Sequence, residues 1–181
     1  SNTKQVKLFL SQSKIRISTH DKAEILVSTK DYKAPPERAR GLRPLYQNAQ
    51  DNTGIGLEVT ENNNVITIKK ASNHAMAFEL KVPKDVNIYI EEQDWNNKGI
   101  HIEDVAGEIE VDAKDSSIEL KNIRGPVVAS TISGNMEVSF DKINQDRPNS
   151  LSATSGFIDV SLPSNTKADV KMKSFNGAVS Y

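Results

Sequence analysis

Residues 98–142 read KGIHIEDVA, GEIEVDAKD, SSIELKNIR, GPVVASTIS and GNMEVSFDK when they are set out in blocks of nine. The third residue of every block is Ile, Val or Met, and the fifth is Ile, Val, Leu or Ala. The residue between them is glutamate in three blocks, at Glu110, Glu119 and Glu137. Apolar residues at every second position predict a short, half-buried strand in each block.

Glycine opens three of the blocks, at Gly107, Gly125 and Gly134, whereas Lys98 and Ser116 stand there in the other two. Glycine at this place predicts a corner where the backbone turns through a positive φ angle. A strand and a corner that recur at a fixed period favour a β-solenoid, in which each unit buries its apolar face by stacking on its neighbours. Two blocks would form one coil. We therefore predict an all-β, single-stranded β-helix, with a β-sandwich as the alternative fold.

The template continues outside these blocks. After a polar insertion at residues 141–150, residues 156–160 repeat the rung, and Gly177-Ala178-Val179 repeats it again. Upstream, residues 78–83 and 86–90 form a strand, a proline corner and a second strand, and the same order recurs at 158–163 and 168–172. We expect regular coils over residues 71–181.

The N-terminal part is less regular. Residues 22–29, 55–60 and 65–69 are expected to be β-strands, the last two flanking an Asn-rich turn. Residues 31–53 contain three prolines and no apolar period, which predicts a long loop. We interpret residues 1–70 as a β-rich N-terminal cap, or the start of the coil, within a single domain of residues 1–181.

Composition narrows the classes of function. Lys and Arg number 23 and Asp and Glu 24, so a net charge of −1 gives no general attraction to nucleic acid. The absence of cysteine removes disulfides, thiolate zinc sites and cysteine nucleophiles. No apolar run approaches the ~20 residues of a membrane-spanning helix.

The segments Thr131-Ile132-Ser133-Gly134 and Ala153-Thr154-Ser155-Gly156, with the proline corners, resemble an adhesin-type family of bacterial β-strand-repeat domains of unknown function. Residues 40–44 and 51–56 are similar to Bacteroidetes members, and the resemblance covers roughly residues 55–181. The resemblance implies a right-handed β-solenoid at the cell surface or in the periplasm, secreted or lipid-anchored. It implies no catalytic residues.

Aromatic and acidic residues supply the candidate sites. Trp95 with Tyr89, and Tyr32 with Tyr46, could stack on a sugar, although packing of a cap on the first coil explains them equally. The long loop adds the bases Arg40 and Arg43. If two blocks make a coil, then His101, Glu119 and Glu137 share one outer face. Glu119 and Glu137 are thus the metal candidates, with a solvated acidic face as the alternative.

Three functions remain open. A non-catalytic scaffold at the cell envelope would present the loops 31–53 and 141–150 to a glycan or a protein partner. A polysaccharide-degrading enzyme on a β-helix would need a placed pair of carboxyl groups. A structural spacer would bind nothing. We expect no enzyme, no cofactor and no membrane crossing, and we expect homo-oligomers through the solenoid ends, which expose strand edges.

Overall fold

The computed structural model describes residues 3–30, 32–34, 36–39 and 49–181, which form two seven-stranded sheets, A and B. Sheet A contains β1 (Gln5–Leu10), β4 (Leu57–Asn62), β5 (Val65–Lys70), β7 (Asn87–Glu92), β9 (Ile109–Ala113), β11 (Val127–Ser133) and β13 (Ser150–Ser155). Sheet B contains β2 (Ser13–His20), β3 (Leu26–Thr29), β6 (Met76–Pro83), β8 (Gly99–Glu103), β10 (Ile118–Ile123), β12 (Met136–Phe140) and β14 (Ile158–Ser161). The helical segment in these ranges is a 3₁₀ turn at Glu37–Ala39, and no helix there has the length and apolar character needed to cross a membrane.

From β5 onward the strands alternate between the sheets along the chain, as β1 and β2 do, so that each of these coils contributes one strand to each sheet. Within a sheet these strands pair in parallel, and Ile118 lies between Ile100 and Met136 on the neighbouring coils. The coil of two nine-residue blocks is therefore confirmed. The two sheets enclose one core, as in a sandwich, but the parallel stacking of successive coils gives a β-solenoid-like repeat.

The apolar columns of the repeat form the centre of this core. All ten residues of the third and fifth columns are at most 3% exposed. Burial of a side chain of this size contributes ~1.5–3 kcal/mol. The columns are Ile100, Ile109, Ile118, Val127 and Met136, and Ile102, Val111, Leu120, Ala129 and Val138.

The coils do not follow one another in chain order at the N-terminal end. Strand β1 pairs with β5 on one side and with β7 on the other, so that Gln5 lies beside both Val65 and Asn87. Strand β2 lies in the same way between β6 and β8. The first coil is thus an interior coil, and β3 and β4, which pair antiparallel with β6 and β5, lie at the end of the stack.

The three strands expected in the N-terminal part are present with shifted limits, at Leu26–Thr29, Leu57–Asn62 and Val65–Lys70. The turn between the last two is made by Asn63 and Asn64, which adopt left-handed φ angles of 49° and 65°. Of the expected loop at 31–53, residues 31, 35 and 40–48 lie outside the described residues.

Glycine at the corners is required by the distance between coils and not by the expected positive φ angle, which Gly107, Gly125 and Gly134 do not adopt. A Cβ atom on Gly125 would lie 1.9 Å from the carbonyl oxygen of Gly107, and one on Gly134 would lie 2.3 Å from that of Ser116. Backbone therefore packs directly on backbone at these corners, and no side chain fits. Where serine replaces glycine, at Ser116, its hydroxyl accepts a hydrogen bond from the Gly99 amide at 3.1 Å.

The stack of strands stops at β14. Residues 162–181 are all described, and they contain no strand, so the second strand expected at residues 168–172 and the rung expected at residues 177–179 are not formed, and the coils end at Ser161 and not at residue 181. The chain bends after β14 through a turn in which the Thr166 amide donates to the Pro163 carbonyl at 3.0 Å. Strands β13 and β14 are therefore the edges at this end.

Replacement of the tightest corner glycine tests the packing of the coils. Gly125→Ala is expected to lower the free energy of unfolding by ~3 kcal/mol, because the new methyl group must displace the backbone of the neighbouring coil. Equilibrium urea denaturation measures the change. Val128→Ala in the same rung is the control, since Val128 is exposed, and we expect a loss near ~0.5 kcal/mol or less. Equal losses in both variants would contradict the packing argument.

Candidate functional site

A groove runs along one corner of the stack, where strands of sheet B lead into sheet A. It has a volume of about 1090 Å³ and lies between the insertion after β12 and the segment after β14. We call it the corner groove. Its lining residues are Arg124, Asp141, Lys142, Ile143, Asn144, Gln145, Asp146, Pro163, Asn165, Thr166 and Lys167.

The insertion at residues 141–149 is fixed by contacts with other coils. The Asp141 amide donates to the Ile123 carbonyl at 2.9 Å, and the Asn149 side chain accepts from the Val127 amide at 2.8 Å. Arg147 forms an ion pair with Glu108. On the opposite wall, the Gln145 side chain donates to the Lys167 carbonyl at 3.1 Å. These contacts give the groove two defined walls.

A second cleft of about 550 Å³ adjoins the corner groove and shares Arg124 and Asp141 with it. Arg124 Nε lies 2.6 Å from Asp141 Oδ2 at this junction. Asp104 and Asn122, which also line this cleft, adopt left-handed φ angles of 63° and 54° at equivalent corners, and the Asn122 side chain donates from Nδ2 to Asp104 Oδ1 at 3.2 Å. Asn and Asp tolerate this conformation better than most residues.

The described residues of the predicted aromatic sites lie on different parts of the fold. Tyr89 lies on the outer face of sheet A, where its ring centroid is 6.0 Å from that of Phe9. Trp95 lies on the corner between β7 and β8 and is 49% exposed. Tyr32 packs beside Gly56, far along the chain from both. Tyr46, Arg40 and Arg43 lie outside the described residues.

Tyr89 is held by acidic neighbours. Its hydroxyl donates to Glu91 Oε2 at 2.8 Å. This hydrogen bond, together with burial and the charges of Glu91, Glu110 and Asp112, raises the pKa of Tyr89 to about 12. Lys7 Nζ lies 5.7 Å from the centre of the ring on the other side. The phenol therefore stays neutral and serves as a hydrogen-bond donor on this face.

Tyr32 donates a hydrogen bond to a turn at Asp51 that the sequence pattern did not predict. The Asp51 carboxylate accepts five hydrogen bonds, from the amides of Thr53, Gly54 and Gly56 and from the hydroxyls of Thr53 and Tyr32. Burial alone would raise the pKa of Asp51, but these hydrogen bonds hold it below its usual value. The segment before β4 is therefore organised by one carboxylate.

The outer column of sheet B carries the two metal candidates. As predicted, His101, Glu119 and Glu137 are cross-strand neighbours. However, Glu119 is occupied by protein groups, since its carboxylate lies 2.5 Å from Lys121 Nζ and 2.6 Å from His101 Nδ1. The other nitrogen of His101 lies 3.2 Å from Glu103. In the described part of the chain, no group of three His, Asp or Glu residues is arranged to hold a metal ion.

The turn at Asp51 provides a test of stability. Asp51→Asn is expected to lower the free energy of unfolding by ~2 kcal/mol, because the amide nitrogen cannot accept the hydrogen bonds of one carboxylate oxygen. Urea denaturation measures this loss, and Tyr32→Phe, which removes one of the five bonds, is the graded control at ~1 kcal/mol. A loss for Asp51→Asn no larger than that for Tyr32→Phe would contradict the role of the backbone contacts.

Glu119 provides a test of pH dependence. The hydrogen bonds from Lys121 and then from His101 lower the pKa of Glu119, so its ionised form is favoured in the folded state. The ionised Glu119 carboxylate contributes less than ~1 kcal/mol to the free energy of unfolding, because the ion pair is exposed. This contribution is present above the pKa of Glu in the unfolded chain, about 4.3, and is lost as the pH falls. Urea denaturation between pH 3 and 7 should therefore show wild type and Glu119→Gln converging as the solution becomes acidic. Lys121→Met should reduce the same difference, and a constant difference at every pH would contradict the assignment.

The comparison with known families agrees with this architecture. The family model described as Toastrack DUF4097 matches residues 63–181, from just before β5 onward, which is well over half of the chain. A search of curated proteins finds no match. The match confirms the expected resemblance at the level of a β-strand-repeat domain of unknown function. With its parallel coils and its corner glycines, the chain belongs to the Toastrack DUF4097 family.

Proposed function

We propose that this protein is a non-catalytic binding scaffold at the cell envelope and that it binds an oligosaccharide in the corner groove. The observation that carries the proposal is the groove itself, an open trough with two walls held by hydrogen bonds and ion pairs. Its volume of about 1090 Å³ is slightly above the usual range for small-ligand sites, ~300–1,000 Å³, and leaves room for several sugar units.

The lining favours a sugar chain over an apolar ligand. Amide groups of Asn144 and Asn165, the hydroxyl of Thr166 and the ammonium groups of Lys142 and Lys167 offer donors and acceptors along the trough. Sugar hydroxyls both donate and accept hydrogen bonds, so they suit this mixed lining. Ile143 and Pro163 provide apolar contact surface between the polar groups.

The electrostatics support binding without catalysis. A general acid for glycoside cleavage needs a carboxyl group whose pKa is raised. In the corner groove, the carboxylate of Asp141 is engaged in an ion pair with Arg124, whose Nε lies 2.6 Å from Asp141 Oδ2. We therefore retain the scaffold over the polysaccharide-degrading enzyme.

The setting of the scaffold is part of the same proposal. An extracytoplasmic location and an adhesin role follow from the resemblance of the repeats, and a surface protein is an alternative partner to a glycan. We also infer right-handed winding, since connections between parallel strands of one sheet are right-handed in about 98% of cases. Association of copies through the ends of the stack is supported by the unpaired edges of β13 and β14.

A glycan panel tests the proposal. We expect wild type to bind at least one oligosaccharide class and the double variant Asn165→Ala, Thr166→Ala to bind it about tenfold more weakly, since two side-chain hydrogen bonds are lost. Trp95→Ala is the matched control because Trp95 is exposed away from the groove, and its binding should be unchanged.

The alternatives give different results in the same experiment. No binding by wild type would overturn the glycan proposal and favour a spacer. Loss of binding in Trp95→Ala, with retention in the groove variant, would move the site to the β7–β8 corner. Release of reducing ends from the bound polysaccharide would overturn the non-catalytic assignment.

A further inference from the structure

The edge formed by β13 and β14 is an apolar surface without a covering coil. Ile158 and Val160 occupy the inward columns of β14, yet they are 40% and 42% exposed. Their counterparts two coils earlier, Ile118 and Leu120, are each 1% exposed. Phe157, directly before β14, is also half-exposed. One more coil would restore the burial that every inner coil has.

The segment that follows β14 carries the sequence of such a coil. Gly177, Val179 and Tyr181 repeat the spacing of Gly156, Ile158 and Val160, which itself repeats that of Gly134, Met136 and Val138. The distances between these three glycines are each a few residues longer than a regular coil of two nine-residue blocks. Ala129 of β11, Leu151 of β13 and Met172 stand at the same distance before Gly134, Gly156 and Gly177, respectively. Met172 therefore corresponds to an inward residue of sheet A. Val170, Met172, Val179 and Tyr181 are all exposed in the structure.

The start of the segment already lies in a stacked position. The Gln145 side chain on the insertion reaches the Lys167 carbonyl at 3.1 Å, so one corner is joined to the next across successive coils. The chain leaves the sheets after Ser161, where β14 ends, and no strand follows Lys167. The free residues 168–181 are thus tethered directly beside the edge that they match.

We propose that residues 168–181 dock on this edge as an additional coil, with Val179 beside Ile158, Ser180 beside Asp159 and Met172 beside Leu151. Docking covers the apolar columns of β14 with those of the segment and pairs the open backbone edges of β13 and β14. The structure described above is the undocked state of this coil. The edge is thereby closed by the protein's own chain, in competition with a second copy.

The docked and undocked states differ in the space that they leave for a side chain at Gly177. In the undocked state, a Cβ atom on Gly177 would approach only the flexible Ser174 hydroxyl, at 2.9 Å. In the docked state it would take the place that Gly156 takes on the coil before, where a Cβ atom would lie 2.1 Å from the Gly134 carbonyl oxygen. Gly177→Ala is therefore compatible with the undocked state and opposes docking.

Introduced cysteines test the docked register in the full chain, which has no cysteine of its own. Asp159→Cys with Ser180→Cys places two outward side chains opposite each other, at a strand spacing of about 4.8 Å, within the range that a disulfide bridges. Mild oxidation and non-reducing electrophoresis should give an intramolecular disulfide. Adding Gly177→Ala should reduce its yield about tenfold, because the methyl group opposes the docked state.

Asp159→Cys with Lys173→Cys is the control pair, since Lys173 lies in the same segment but would face outward from sheet A. It should form little disulfide. Equal yields in the two pairs, or no effect of Gly177→Ala, would overturn the proposal in favour of an undirected tail. A disulfide-linked dimer from the first pair would show that a second copy occupies the edge. None of these results depends on glycan binding in the corner groove.

Discussion

The close approach of backbone to backbone at the corners is the constraint on which the rest of the structure depends. From Gly107 onward, corner glycines place the coils directly on the carbonyl groups of the preceding coil, with no room for a Cβ atom. Coils held at this distance keep the strands in parallel register, so that equivalent residues stack. Apolar columns then fill the interior without gaps, and each coil buries the face of its neighbour.

The same register imposes a cost on the outer faces, because like residues stack there as well. In sheet B the carboxylate of Glu119 would face Glu137 directly, and the column relieves this with His101 and Lys121. At the corners, where the ladder of backbone hydrogen bonds is interrupted, side chains of a neighbouring coil complete it. The Asn87 and Asn149 side chains accept from the amides of Glu108 and Val127 in this way. Polar residues outside the core are therefore part of the stacking.

The regular half of the fold could be predicted because its information is local. The nine-residue period predicts where each strand lies and which strand is its neighbour. It therefore also predicts that His101 and Glu137 lie beside Glu119 on the outer face. The place of β1 could not be predicted, since alternation shows that a strand exists but not that it will separate β5 from β7. The corner groove was missed for a similar reason. It depends on how the insertion meets the segment at residues 163–167, and neither has a repeat pattern.

The two ends of the stack differ in a way that bears on function. One end finishes in β3 and β4, which run antiparallel to their neighbours and so interrupt the parallel template that a further coil would need. The other end keeps that template open at β13 and β14, with apolar side chains along it. Open edges of this kind invite added strands. The corner groove adjoins this end, and its wall at residues 163–167 leads directly into the segment proposed to dock on the edge, so docking of that segment and the shape of the groove are physically linked.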